Sequence, residues 1–178
     1  MNINSLKSFS MPYYEKKDMM HNLWHIELVY KSVCYIVRAG NYKVDSDLLT
    51  AATYFHGFIK THEVDIRAWL ASSGFCNEEI EKVIQITLES HVASIPESLE
   101  GKILHDAHLI EGGKVYMITK CLITGSLRGQ SLLETIAFVE ENILGKRTCY
   151  LPETTPLFEE AHQFACQYIA DLKNGLRR

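Results

Sequence analysis

The stretch that most constrains this chain runs from Leu48 to Lys60 and reads LLTAATYFHGFIK. Apolar or small residues fall on nearly every side of a helix of this composition, which is typical of a helix in the middle of a bundle. The stretch closes with His56 and Gly57 just before its last apolar pair. A histidine near the end of a buried helix lies in a low dielectric and needs a partner, either a hydrogen-bond acceptor or a metal ion.

Composition and charge exclude several classes of protein. The chain has 178 residues, of which 47% are hydrophobic and 22% charged, values typical of a folded globular protein. A net charge of -4 without a basic block argues against a broad nucleic-acid-binding surface. No apolar run has membrane-spanning length, and the N-terminus lacks an apolar signal core, so we predict a cytoplasmic protein with no membrane contact. Its five scattered cysteines are predicted to be free thiols.

The hydrophobic pattern predicts an all-α fold. The sequence predicts a helix or a turn over residues 13–20. It predicts helices over residues 22–39, 63–72, 78–91, 115–122, 130–144 and 156–173, and a further helix that starts near Pro96 and Ser98 and includes 103–110. The segment KVYMIT also allows a short strand, but its helical neighbours favour a helix. Without repeats or linkers, we predict one domain over residues 1–178, with its core at about 22–172 and flexible ends at 1–12 and 173–178.

Eight histidines place an ionisable group on nearly every predicted helix. His21 and His25 share one helix face, because side chains four residues apart are neighbours on a helix. His105 and His108 flank Asp106 in the segment LHDAH. Metal and cofactor sites in helical bundles are built from such side chains on facing helices. No HExxH signature is present, so satisfied core histidines and solvated histidines remain alternatives to a metal site.

Five passages, taken in order, resemble the HD-domain superfamily of metal-dependent phosphohydrolases. They read HNLWHIELVYKS, DLLTAATYFHGFIK, IEKVIQITLESH, SLEGKILHDAHLIE and KRTCYLPETTPLFEEAHQFACQYIADL. The resemblance covers residues 22–172 and implies an HD-domain-like helical bundle. It further implies a divalent metal ion (Mn, Fe, Ni, Zn or Mg) held by His25, His56 and Asp106.

The same resemblance implies roles for other residues. His91 is expected to act in catalysis as an extra ligand or a phosphate contact, and Lys60 and Arg128 as weaker phosphate contacts. The chain departs from the family pattern at two positions. Gly57 replaces the aspartate of the His-Asp doublet, and His108 replaces the second aspartate of the family's DAD segment.

Gly57 has no side chain to offer a metal, so the site is expected to be weakened or rearranged. Water, His62, His91 or His108 are the candidates for the missing ligand. Three functions follow from the resemblance: a hydrolase of a phosphorylated small molecule such as a nucleotide, a non-catalytic HD-fold module that binds a ligand or a protein, and a non-haem iron oxygenase of the HD fold. The sequence leaves open which of these applies, and whether the protein is an enzyme.

Overall fold

All regular structure in the described part of the chain is helical, which confirms the all-α prediction. The computed structural model describes residues 1–91 and 94–177. The helices within these ranges are α1 Ile3–Glu15, α2 Leu23–Ala39, α3 Ser46–Phe55, α4 Ile59–Ser72, α5 Asn77–Glu89, α6 Leu99–Ile110, α7 Tyr116–Leu127, α8 Leu132–Asn142 and α9 Thr155–Leu176. The KVYMIT segment is helical from Tyr116 onwards. In the same ranges, no helix combines the length and apolar character needed to cross a membrane.

Helix α3 lies at the centre of the first part of the fold. Every residue from Leu48 to Phe55 is buried, and the helix packs against α1, α2 and α5. Asp45 caps its start, because the side chain accepts hydrogen bonds from the backbone N–H groups of Asp47 and Leu48. The central position predicted for this helix therefore agrees with the structure.

The N-terminal segment differs from its prediction. Residues 1–12 were expected to be flexible and a helix to follow Pro12, but α1 already begins at Ile3, is capped by Asn2 and includes Pro12. Leu6, Ser10 and Tyr14 are buried on one face of this helix, at the four-residue spacing that α-helices require. The C-terminal end also differs, since α9 continues to Leu176 rather than ending near residue 173.

The chain forms two compact units, Met1–His108 and Leu109–Arg178. In the second unit, α7 packs against α8 and α9 around a core formed by Ile118, Ile136, Val139, Ala165 and Ile169. The division concerns compact units, and the prediction of one domain stays a prediction. No Gly- or Pro-rich linker marks the division, because the boundary falls inside the continuous helix α6.

Candidate metal centre

Three helices of the first unit bring three imidazole rings together. His25 lies in the first turn of α2, His56 is the residue that caps the end of α3, and His108 lies near the end of α6. One ring nitrogen of each histidine lies within 4.8 Å of those of the other two. The ring centroids are separated by 5.7 Å for His25 and His56, 5.5 Å for His25 and His108, and 4.1 Å for His56 and His108.

The protonation of His56 is fixed by the backbone of its own helix. Its Nδ1 atom lies 2.6 Å from the carbonyl oxygen of Thr53. Because a carbonyl oxygen only accepts hydrogen bonds, Nδ1 carries a proton and donates it. In the neutral ring this leaves the lone pair on Nε2, which faces Nε2 of His108 at 2.8 Å. A hydrogen bond of this kind orients the histidine ligands of metal sites in proteins.

The donor set of the centre fits a transition-metal ion. Neutral imidazoles suit zinc, copper, iron and nickel, whereas magnesium prefers oxygen ligands, so magnesium does not fit these three residues. Three histidines with a fourth position open for water or substrate form one of the catalytic arrangements of zinc. The rings of His25 and His56 are buried and His108 is half-buried, so the centre has little exposure to solvent.

Asp106, which the sequence predicted as the third ligand, is not part of this group of three. It is fully buried, and its Oδ1 lies 3.0 Å from Nδ1 of His105. Each residue of a helix is rotated by about 100° about the helix axis relative to the one before it. Asp106 and His108 are two residues apart, so their side chains project from α6 in directions about 200° apart. The group in the structure is thus His25, His56 and His108, and the metal-ligand set of His25, His56 and Asp106 stays a prediction.

The other candidate ligands lie outside the group. His91 follows the end of α5, and its buried Nε2 has no hydrogen-bond partner among the described residues. Burial, and to a lesser extent the charge of Lys60, lowers the pKa of His91 and favours its neutral form. His62 lies at a non-helical turn inside α4, where its Nδ1 is 3.2 Å from Asp65 Oδ2.

The two predicted phosphate contacts are both exposed. Lys60 lies in the first turn of α4, close enough to His91 for its charge to act on that ring. Arg128 ends α7 in the second unit. Their role as phosphate contacts stays a prediction.

Gly57, the residue that replaces the expected aspartate, is held by side chains from the N-terminal segment. Its N–H donates to the hydroxyl oxygen of Tyr14 at 3.2 Å, and its carbonyl accepts from the ammonium group of Lys17. The Tyr14 hydroxyl donates in turn to the carbonyl oxygen of Tyr54 at 2.8 Å. Burial raises the pKa of Tyr14, while the bond from Gly57 opposes the shift, so the hydroxyl stays protonated. The backbone N–H and C=O groups of Gly57 are therefore bound by Tyr14 and Lys17, which lie three residues apart in the chain.

Sequence reasoning missed Lys17 and Tyr14 as neighbours of the centre. They lie in a segment that was predicted only as a first helix or turn, and more than forty residues separate Tyr14 from Gly57 along the chain. No local pattern links the two, so only the packing of α1 against α3 reveals the contact.

Comparisons with known proteins bear on the fold. No protein-family model and no curated protein matches the chain. Among solved structures, the chain is similar to Bacillus subtilis YpgQ in complex with ADP, with a TM-score of 0.78 and 20% identity over 98% of this chain and 97% of that one. A second structure of Bacillus subtilis YpgQ has a TM-score of 0.75 and 20% identity over 97% and 96% of the two chains. At this identity, the similarity shows that the fold is shared.

Proposed function

We propose that this protein is a metal-dependent hydrolase of a phosphorylated small molecule, a nucleotide, related to the HD-domain superfamily and built on an all-histidine centre. The observation that carries the proposal is the convergence of His25, His56 and His108 from three separate helices. These residues are distant in sequence. Grouping three buried or half-buried imidazoles costs free energy, because each ring is removed from water and needs a hydrogen-bond partner or a metal ion, so a structural role alone does not explain the group.

The order of the sequence passages supports the proposed relation to the HD-domain superfamily. The shared fold supports a nucleotide as the ligand. YpgQ, which shares the fold at 20% identity, has been crystallised with ADP. The negative charge of a nucleotide phosphate would also balance the positive charge of a divalent ion held by the three histidines. Three neutral imidazoles leave the full charge of a divalent ion to be balanced by its ligand, whereas the two histidines and one carboxylate expected from sequence would leave about one unit.

Each residue of the centre has a definite part in this proposal. His25, His56 and His108 would hold the ion, and Thr53 would fix the ring of His56 through its carbonyl oxygen. A divalent ion in such a site supplies Lewis-acid chemistry toward a phosphoryl group. Gly57 offers no side chain, so no carboxylate at that position is available to orient the attacking water.

The metal content of the purified protein tests the proposal directly. Protein purified without chelator is expected to hold about one equivalent of zinc, iron or nickel, and to release phosphate from some members of a nucleotide panel. Alanine substitutions of His25, His56 and His108 should each remove the ion and the activity. His21→Ala is the matched control, because His21 is also on the N-terminal side of α2 but is paired with Asp18 at 2.8 Å and lies outside the group.

A second candidate function is a non-catalytic module that binds a nucleotide or a protein. Two observations favour it. The place of the doublet carboxylate is filled by Tyr14, and the 2.8 Å separation of the His56 and His108 Nε2 atoms allows one proton to be shared between the two rings. A protein that binds nucleotide but retains no metal, and that shows no phosphate release with added zinc, manganese, iron or nickel, would favour this candidate over the hydrolase.

The third function considered from sequence, an iron oxygenase, stays a prediction. It depended on two histidines and one carboxylate, the ligand set of such iron sites. The structure groups three histidines instead.

A further inference from the structure

Lys17 places a positive charge at the end of α3, next to the peptide that follows His56. Its ammonium group donates to the carbonyl oxygen of Gly57, the residue that directly follows His56. The side chain is half-buried and passes over the ring of Tyr14, with Nζ 4.9 Å from the ring centroid. A long flexible side chain is thus held against the peptide that ends α3, at the point where the sequence resemblance led us to expect a carboxylate.

The ammonium group retains donors for a ligand. It carries three N–H groups and the structure gives it one acceptor among the described residues, the Gly57 carbonyl. The nearest acidic residue in sequence, Asp18, is engaged elsewhere. Its Oδ1 accepts from the Met20 N–H at 2.8 Å, and both of its oxygens lie within 2.9 Å of His21 Nδ1. Partial burial also strengthens a charged hydrogen bond, because the local dielectric is lower than that of water.

An ammonium group in place of the expected carboxylate changes which ligands this region attracts. A carboxylate next to His56 would repel a phosphate group and attract a cation. With Gly57 and Lys17 in its place, the same region attracts an anion. A phosphate group bound there would meet the N–H donors of Lys17.

We propose that Lys17 binds a phosphate group of the substrate at the histidine centre and selects for ligands with a terminal phosphate. The inference rests on the proposed function, because it assigns the substrate of that site to oligophosphates such as nucleoside diphosphates. It makes Lys17, rather than Lys60 or Arg128, the phosphate-binding residue next to the centre. Sequence analysis gave Lys17 no role.

Calorimetric titration with ADP, pyrophosphate and adenosine tests the proposal on the full-length protein, both as purified with its metal and after treatment with EDTA. Lys17→Met removes the charge and the donors, and Lys17→Gln removes the charge but keeps one donor for the Gly57 carbonyl. Lys16→Met is the matched control, because Lys16 is the adjacent lysine and is exposed. Circular dichroism checks that each variant is folded. If Lys17→Met does not fold, Lys17→Gln alone provides the test.

The expected result is a loss of about 10- to 100-fold in affinity for ADP and pyrophosphate in both Lys17 variants, the range of one hydrogen bond to a charged group. Adenosine affinity and metal content should stay unchanged, and Lys16→Met should behave as wild type. ADP and pyrophosphate affinities within twofold of wild type in the metal-loaded Lys17 variants would overturn the assignment of Lys17 and leave the proposed function standing.

The proposed function can fail separately. If wild type binds pyrophosphate equally well after EDTA and loses it in the Lys17 variants, Lys17 is the phosphate-binding residue and the metal-dependent function is wrong. If wild type binds neither ADP nor pyrophosphate under either condition, the inference about Lys17 is overturned as well.

Discussion

The ring of Tyr14 occupies the space in which residue 57 would carry a side chain. A Cβ atom at position 57 would lie 2.6 Å from both the Cε1 and hydroxyl oxygen atoms of Tyr14, far inside van der Waals contact. Gly57 is not among the residues in the left-handed backbone region, so its backbone would accept another amino acid. The glycine is required by space and not by conformation, and the missing carboxylate is therefore coupled to the packing of α1.

This relationship predicts that substitutions at the two positions are strongly non-additive. Gly57→Ala should reduce the free energy of unfolding by about 1–3 kcal/mol, the usual cost of overpacking a filled site. In a Tyr14→Leu background, which removes the ring atoms that clash, the same substitution should cost much less. Chemical denaturation of the wild type, both single variants and the double variant measures the coupling.

Gly175→Ala is the control, because a Cβ atom at Gly175 meets nothing within 4 Å. It should be neutral or stabilising, since alanine favours a helix over glycine. Equal costs of Gly57→Ala in both backgrounds would contradict the steric explanation. By the same reasoning, Gly57→Asp alone should fail to restore a family-like carboxylate ligand, and would need Tyr14→Leu to make room for it.

Metal binding should stabilise the folded protein through the three histidines. An ion present at 100 times its dissociation constant adds about 2.7 kcal/mol to the free energy of unfolding, so the melting temperature should rise with zinc and fall again with EDTA. His108→Ala should abolish the shift. His62→Ala should preserve it, because His62 is exposed and outside the group.

The same measurement distinguishes the two possible third ligands. If Asp106→Asn abolished the zinc-dependent shift and His108→Ala did not, the ligand set expected from sequence would be right and the all-histidine centre wrong. Asp106→Asn keeps the volume of this fully buried side chain, which limits its effect on packing.

His91 should make stability depend on pH on the acidic side. Above pH 6.5, the ordinary histidine value, the ring is neutral in both the folded and the unfolded chain and contributes no pH dependence. Because burial and Lys60 lower the pKa of His91 in the fold, the unfolded chain binds a proton first as the pH falls through 6.5. Stability must then decrease with decreasing pH.

His91→Gln removes this contribution, so its unfolding free energy should fall less steeply below pH 6.5 than that of the wild type. Denaturant titrations at a series of pH values provide the comparison. A steeper fall in His91→Gln than in the wild type would mean that the folded protein stabilises the charged ring instead.

Two lysines of the second unit should differ sharply in their effect on stability. Lys120 Nζ lies 2.5 Å from Oε1 of the buried Glu111, whereas Lys114 pairs at 3.1 Å with Glu160 at the surface. Removing one partner of a buried pair leaves an uncompensated charge and costs about 3–5 kcal/mol. Lys120→Met should therefore destabilise strongly in thermal or chemical unfolding, and Lys114→Met, an exposed pair, by less than about 1 kcal/mol.

Similar small effects for both variants would show that contacts of Glu111 other than the one with Lys120 are enough to compensate its charge. Lys120→Met/Glu111→Gln extends the test, because removing the charge of both partners should recover much of the loss.

Local sequence patterns determined the helical character of this protein and the buried position of α3, and they singled out His56 as a buried histidine that needs a partner. Each of these follows from information within a few residues: the spacing of apolar side chains, a cap such as Asp45, or a histidine at the end of an apolar run. The sequence also showed where this chain departs from the pattern of the family that it resembles, at Gly57 and His108.

Tertiary structure alone decided what those departures mean. Whether Asp106 or His108 joins the other two histidines depends on the rotation of α6 about its axis, and a local pattern does not fix the rotation of one helix relative to others. Tyr14 and Lys17 reach Gly57 only because α1 packs beside α3. The chemistry of the centre, imidazole and ammonium groups where carboxylates were expected, thus arises from contacts between helices that are far apart along the chain.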